Sequence, residues 1–435
     1  MNHFARRFVL GGSLLALPVV TWAQGAAQPA AGPVNSAMGG AGTALPNESL
    51  GALMFNPALI AVTPGNQISF TTEFFKDSIN IDTTLNAGGR SHRALSTSQL
   101  NIVPAFGWMS KKPDAKMALG FGLIGLGGFS TDYPQDTASV LFSQPPAGLG
   151  RTYSTYSVAK IPLALGYQAT PKLSLGASVN VYVGQFAMAP LWSPESDEAY
   201  AGPAARWYPE AGRPSQKFAV AVQLGFLYQA SPSLSVGGSI TTPPNFATYE
   251  WNSTNADPTS PGFGTSRTLS YDLDGPLVIS FGAGWKPGKK TQVAVDGMFT
   301  KYKGVAGFGD SAGIVDGVVY PFGWGDVWTF KAGVQYQATD KLVLRAGYNF
   351  SETPLRSEVV VSSVTAPLTN QHRLDGGFGY KLFPFLEANA SFSYAPREHV
   401  TGPYRDINNV DNVVTGTVDV SNTVTSALVG LSFRF

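Results

Sequence analysis

From about Gln67 onward, apolar and polar residues alternate with period two, the period of a strand. In residues 173–183, Leu173, Leu175, Ala177, Val179, Val181 and Val183 share one face, and Ser174, Gly176, Ser178, Asn180 and Tyr182 the other. Residues 218–228 repeat the pattern with Phe218, Val220, Val222, Leu224, Phe226 and Tyr228. Residues 276–285 do so with Leu277, Ile279, Phe281, Ala283 and Trp285. The opposite faces carry Ser, Gly, Ala and Gln with few charges. Alternation of this kind suits a soluble sandwich, which buries its apolar face. It suits equally a membrane barrel, which turns that face to lipid and keeps the polar one for its lumen.

The breaks between strands separate the two architectures. Short breaks fall at 110–116, 169–172, 231–233, 286–290, 338–341 and 383–384. Between them lie long stretches at 83–95, 131–152, 188–216, 245–266, 303–326, 353–370 and 396–414. Strict short–long alternation is the mark of bacterial outer-membrane barrels, with tight periplasmic turns and large extracellular loops. An aromatic residue precedes each short break (Trp108, Tyr167, Tyr228, Trp285, Tyr336, Tyr380), always on the apolar face, as an interfacial girdle requires. Gly166-Tyr167-Gln168-Ala169-Thr170, Leu227-Tyr228-Gln229-Ala230-Ser231 and Gln335-Tyr336-Gln337-Ala338-Thr339 sit at equivalent places, so the unit that repeats is a hairpin. The expected fold is an all-β transmembrane antiparallel barrel of about 14 strands, the even count that closure requires in this class. The last strand puts Ala427, Val429, Leu431, Phe433 and Phe435 on one face, and its terminal Phe resembles the signal read by the barrel assembly machinery.

Two segments escape the alternation. Arg6 and Arg7, an apolar run from Phe8 to Val20 and the small-residue exit at Thr21-Trp22-Ala23 have the build of a secretory signal peptide. The apolar run is too short for a membrane helix and is broken by Gly11, Gly12 and Pro18. The expected division is 1–23 signal peptide, 24–66 hatch and 67–435 barrel. Residues 24–66 are rich in Gly and Ala with scattered Leu, Met and Phe, too little apolar surface for an independent domain. Their simplest place is the lumen, as a plug.

Composition narrows the chemistry. There is no cysteine, hence no disulfide framework or thiolate. Charged residues make up 13% of the chain and the net charge is +1, which indicates neither a nucleic acid nor a polybasic membrane-surface partner. Only helices and closed barrels satisfy every backbone group in lipid, and no apolar stretch is long enough for a membrane helix.

The sequence resembles the FadL/TodX-type transporters of the Gram-negative outer membrane. The resemblance rests on Gly39-Gly40-Ala41-Gly42-Thr43-Ala44, on Phe55-Asn56-Pro57-Ala58-Leu59, on the strand count and on Gly402-Pro403-Tyr404. It implies a 14-stranded barrel with an N-terminal hatch, expected as a monomer. Asn56, Pro57 and Ala58 are expected to fix that hatch, because Pro57 locks its own φ and restricts Asn56 to extended conformations, which leaves the Asn56 side chain to satisfy unpaired backbone groups. It also implies passive transport of long-chain fatty acids or aromatic hydrocarbons: capture at an extracellular groove, passage to a pocket beside the hatch, and lateral release into membrane lipid at a kinked third strand. That strand is residues 117–129, where Gly120, Gly122, Gly125, Gly127 and Gly128 are compatible with a bulge or with room for the hatch. The family's ligand-binding residues match no motif here and are not carried over.

Beyond the signal peptide there are three histidines, His92, His372 and His399, in no metal-ligand spacing. No nucleophile motif accompanies them, so neither an enzyme nor a cofactor is expected. Parity places Lys160, Asp296, Lys331, Arg345, Arg373, Asp375 and Glu387 in the lumen, where they either hold the hatch to the wall or offer a cation to a substrate carboxylate. The loops carry Leu191, Trp192, Trp207, Phe246, Trp251 and Phe263, read as an exposed apolar capture site. Two other readings stand beside transport of hydrophobic ligands: a general diffusion porin and an outer-membrane lipid hydrolase.

Overall fold

The structure, a computed structural model, describes residues 28–435 apart from 64, 88–90, 98–99, 146, 193–207, 256, 259–260, 316–317 and 406–412. The expected signal peptide and Trp207 lie outside the described residues.

Fourteen antiparallel strands run up and down around a closed barrel. They are β1 (Gln67–Leu85), β2 (Asn101–Ser110), β3 (Met117–Tyr133), β4 (Thr152–Gln168), β5 (Leu173–Ala189), β6 (Ala211–Ser231) and β7 (Leu234–Thr241), then β8 (Leu277–Trp285), β9 (Thr291–Lys301), β10 (Val327–Gln337), β11 (Leu342–Ser351), β12 (His372–Phe383), β13 (Leu386–Arg405) and β14 (Val414–Arg434). A short outer segment, Ser91–Leu95, pairs with the top of β1. The barrel closes where β1 meets β14, in unbroken register from Gln67↔Arg434 to Leu85↔Gly416. The six short breaks are the turns at one end, as the sequence indicates. The apolar parity faces outward: Phe218, Val220, Leu224 and Phe226 on β6 are all exposed, while Ala219, Ala221 and Gln223 between them are buried. Tyr167, Tyr228, Trp285, Tyr336 and Tyr380 form the outward girdle, with Trp108 half-buried beside them. In water such a surface would be a severe aggregation hazard; in lipid it is the solvated face.

The lumen is filled by residues 28–63, which form two helices, α1 (Pro33–Ser36) and α2 (Ser49–Phe55), and a 3₁₀ turn over Pro57–Ala61. Leu50, Leu53, Leu59 and Ile60 are wholly buried against Ala105, Met109, Ala118, Ile124 and Ala164 of the wall. Short helices leave many peptide groups unpaired, and the wall supplies the partners. Asp296 Oδ2 accepts from Gly42 N at 2.7 Å and Thr43 N at 2.9 Å. Asn349 Nδ2 donates to Gly39 O at 3.0 Å, and Ser235 Oγ to Ala44 O at 2.8 Å.

Asn56, wholly buried, does most. Its Oδ1 accepts from Ala58 N at 3.0 Å, capping the 3₁₀ turn that Pro57 begins. Its Nδ2 donates to Thr43 O within the hatch and to Phe226 O on β6, both at 2.9 Å. One amide thus ties two hatch segments and the wall together. The wall answers with a glycine: a Cβ on Gly176 would lie 2.2 Å from Ala58 N, so the hatch backbone rests directly on β5.

Asn56→Ala removes a hydrogen bond from the buried Ala58 N and Thr43 O of the hatch, at about 1–3 kcal/mol per orphaned group, and cuts the tie to Phe226 O of the wall. The barrel wall does not use this side chain for its own ladder. The variant is expected to assemble and keep heat-resistant migration on gels, but to show ion conductance in planar bilayers well above the native protein. Native-like silence would remove Asn56 as the anchor.

Candidate binding site and passage

Three features lie in sequence along the lumen: an outer groove, a smaller cavity beside the hatch and a seam in the wall.

The outer groove, about 1830 Å³, opens between the extracellular loops and is lined by Tyr208, Trp251, Phe263 and the charged Arg213, Glu250 and Arg267. The loop aromatics were expected to be exposed; the structure corrects this. Leu191, Trp192 and Trp251 are buried, and only Phe263 is open to solvent. The physical reason is that the loops fold inward across the barrel mouth and pack on one another. Phe129, Tyr156, Phe186, Tyr302, Phe308, Phe322 and Trp324 form one aromatic core there, with Phe308 stacked on Trp324 at 4.4 Å.

Beneath this core is a cavity of about 140 Å³ beside the hatch. Met54, Phe55, Leu126, Tyr156, Val158, Phe246, Met298 and Tyr302 give it apolar walls, and Gln28, Lys160 and Lys331 are its polar points. One extracellular hairpin links groove and cavity: Trp251 lines the groove, Tyr249 stacks against it at 6.2 Å, and Phe246, 6.2 Å from Tyr249, lines the cavity. Phe246 N donates to Asp274 Oδ1 at 2.7 Å. Burial raises the Asp274 carboxyl above its ordinary range, and this bond from the Phe246 amide pulls the other way.

The lumen cations are in the lumen, and their bonding separates them. Lys160 Nζ spends its three protons on Leu53 O at 3.1 Å, Met54 O at 3.3 Å and Gln223 Oε1 at 2.8 Å. The two carbonyls end α2, where a cation is favoured; Lys160 is a helix cap. Arg373 is held by Asp375, Ser36 Oγ at 2.8 Å and Ser393 Oγ at 2.9 Å. Arg345 bonds Gln335 at 2.6 Å and Asn389 at 2.9 Å and faces Glu387 at 3.6 Å. Lys331 differs. Its one direct hydrogen bond is a long one, 3.4 Å to Pro29 O, and its ammonium lies 4.7 Å from the centroid of Phe55. Among the described residues it is the cavity-lining cation with donors in reserve.

The seam lies between β2 and β3. On its β1 side, β2 is paired from Met109 up to Asn101. On its β3 side the ladder runs only from Ser110↔Leu119 to Phe106↔Leu123. Above that, no ladder pair joins the strands among the described residues; contact resumes where Thr97 N donates to Asp132 O at 3.0 Å. Two devices hold them apart. Pro104 on β2 has no N–H to offer. On β3 the register with β4 slips by one residue between Gly125 and Gly127, and Gly127 and Gly128 adopt φ of 153° and 152°, values that favour glycine. Gly125, Gly127 and Gly128 therefore belong to the seam. Gly120 and Gly122 do not: both lie in the paired part, and a Cβ on either would press on Leu53 of the hatch, at 2.8 and 3.2 Å. These two glycines make room for the hatch.

The hatch chain seals the seam from within. Gln28 N donates to the carbonyl of Leu126, the residue that the register slip against β4 leaves without a partner, and Gln28 Nε2 donates to Glu73 Oε2 at 3.0 Å. Gln28 and Leu126 also line the cavity. Outside, a concavity of about 600 Å³ runs across the closing strands from Phe378 of β12 past Val429 of β14 and Phe70 of β1 to Phe106 of β2, and reaches the foot of the seam at Leu123. Gln28, Val103 and Pro104 were not singled out from the sequence. A proline inside an otherwise regular strand was the readable signal, since it marks an unpaired edge.

The histidines are paired elsewhere: His92 with Asp136 at 2.9 Å, His399 with Asp419 at 2.7 Å, and His372 with the Tyr348 hydroxyl. No cluster of metal-ligating side chains occurs among the described residues.

The sequence matches the model of a family described as outer membrane protein transport protein (OMPP1/FadL/TodX) over residues 15–435. No curated protein matches it. Among solved structures, the fold is similar to the toluene transporter TodX of P. putida, with TM-score 0.68 and 18% identity over 93% of this chain and 98% of that one. The Ralstonia pickettii toluene transporter TbuX gives TM-score 0.66 at 18% identity, again over 93% and 98%. A Pseudomonas aeruginosa FadL homologue gives 0.69 at 14% identity, over 94% and 100%. At these identities the likeness is one of fold.

Removing the middle ring of the Trp251–Tyr249–Phe246 ladder should join groove and cavity. Tyr249→Ala is expected to speed association of a fluorescent apolar probe several-fold in stopped-flow mixing. An unchanged association rate would mean that ligands reach the cavity by another way.

Proposed function

The chain belongs to the FadL/TodX family of outer-membrane transport proteins, and on that premise we propose that it carries small hydrophobic molecules from the cell exterior, past the hatch, and sideways into membrane lipid. The observation that supports this most directly is that the cavity and the seam share Gln28 and Leu126. Among the described residues, Gln28, bonded to Leu126 O, is the hatch residue that stands between the cavity and the seam. Entry is by the groove and the aromatic ladder. Exit follows displacement of Gln28. The hatch is the gate, and residues 124–131 of β3 with Val103 and Pro104 of β2 frame the opening. The concavity at Phe106 and Leu123 receives the molecule outside.

Energetics favour the side exit. Each CH₂ that leaves an apolar site for water costs about 0.8 kcal/mol. Release into the periplasm would charge that cost to the whole apolar body of the ligand, and release into lipid avoids it. A general diffusion porin fits poorly, because residues 28–63 occupy the lumen with buried, bonded backbone.

The size of the cavity supports one substrate class over the other. An apolar cavity of about 150 Å³ is known to accept benzene, and the one here is about 140 Å³. We infer single-ring hydrocarbons as the best fit, with Lys331 able to meet a small polar or anionic substituent. Long-chain fatty acids are the second reading, and Lys331 is the observation that favours it. Uptake by a deletion strain carrying this protein is expected to be faster for labelled toluene than for labelled oleate; the reverse order would select the chain.

The exit can be locked. The chain has no cysteine, and a Cβ on Gly125 lies 3.9 Å from Val103 Cβ, within disulfide geometry. In the Val103→Cys/Gly125→Cys variant, oxidation should stop uptake and reduction should restore it, while binding to the purified protein persists in both states. Uptake that ignores the cross-link would exclude this seam as the exit.

A further inference from the structure

The near-neutral net charge conceals a segregation by side. The turns that join β2–β3, β4–β5, β6–β7, β8–β9, β10–β11 and β12–β13 hold eight lysines against two acids, Asp114 and Asp340. The connections at the other end, 86–100, 134–151, 190–210, 242–276, 302–326, 352–371 and 406–413, hold sixteen Asp and Glu against seven Lys and Arg. The short-turn end is the periplasmic one. The chain is therefore cationic at its periplasmic rim and acidic at its outer face. A count of charge over the whole sequence hides this.

Where these lysines sit decides what they meet. Lys111 is spent on Ala61 O, at 2.6 Å. The other seven are exposed, and none of them forms an ion pair with a carboxylate among the described residues. They follow the outward aromatic girdle at once: Lys286 is next to Trp285, and Lys172 and Lys341 come five residues after Tyr167 and Tyr336. Girdle aromatics sit at the level of the headgroups. Lysines just beyond them are placed at the height of the phosphate layer of the periplasmic leaflet, which a long side chain can reach.

We propose that this rim is a binding collar for anionic phospholipid of the periplasmic leaflet. An acidic protein would dock on one face. The lysines instead occur on four of the six turns, β2–β3, β4–β5, β8–β9 and β10–β11, and so are spread around the rim. A ring of lipid headgroups fits that distribution. The attraction per lysine near an anionic surface is worth about a fivefold change in partitioning. The collar acts independently of the transport path, because none of its exposed lysines lines the cavity or the seam.

The test uses the whole protein in bilayers of phosphatidylcholine to which brominated phosphatidylglycerol or brominated phosphatidylcholine is added. Quenching of tryptophan fluorescence, to which Trp108 and Trp285 on the girdle contribute, reports the lipid in contact. The expected result is an association constant for phosphatidylglycerol at least about fivefold above that for phosphatidylcholine at low salt. In about 0.5 M salt the ratio should fall toward unity, since the screening length becomes only a few ångström. A variant with Lys112→Gln, Lys116→Gln, Lys172→Gln, Lys286→Gln, Lys289→Gln and Lys290→Gln should lose most of the preference at low salt and keep native heat-resistant migration and ligand uptake. Equal association of the two lipids with the native protein would overturn the collar. So would a preference that withstands salt, and the salt series needs no variant to fold.

Discussion

A peptide group that enters hydrocarbon must find its hydrogen-bond partner inside the protein. That constraint closes β1 onto β14, and it makes any interruption of the ladder costly. The wall between β2 and β3 breaks the rule over half its height. The break is tolerable because something else meets the exposed groups: Gln28 N bonds Leu126 O, and Val103 fills the space that Gly125 leaves. The same logic governs the hatch. Its short helices could not survive in an apolar lumen without Asn56, Asp296, Lys160, Gln223 and Asn349, each of which takes up backbone groups that the hatch cannot pair itself. Wall and hatch each complete the other's bonding, which is why a filled lumen and a broken wall occur together.

The fold was legible because its signals are local. Period-two alternation, turn residues and a preceding aromatic are all read within one hairpin, and the strand count and the outward parity followed from them. Hatch placement was legible from the absence of that period, and the role of Asn56 from the restriction that Pro57 imposes on it.

The site was only partly legible, because it is made of non-local facts. Glycine content pointed to the third strand, yet could not divide Gly120 and Gly122, which face Leu53, from Gly125, Gly127 and Gly128, which frame the seam. The division depends on Pro104 of the neighbouring strand and on a one-residue slip against β4. Parity put Lys160 and Lys331 in the lumen alike. That one caps α2 while the other keeps donors in reserve depends on where the hatch comes to rest. The loop aromatics looked exposed because a sequence does not reveal that seven loops share one mouth and bury each other's rings.

The small volume beside the hatch has a kinetic consequence. A space of about 140 Å³ holds one molecule at a time. On the route proposed above, passage through it would be a queue with a single place, between Tyr249 on the groove side and Gln28 at the seam. Diffusion through an open pore rises in proportion to the outside concentration. Flux through a single place instead levels off once that place is always occupied, and two different compounds must exclude one another from it. A conduit working in the proposed way would follow the saturation law of an enzyme, with competition between cargoes, and would need no energy source to do so.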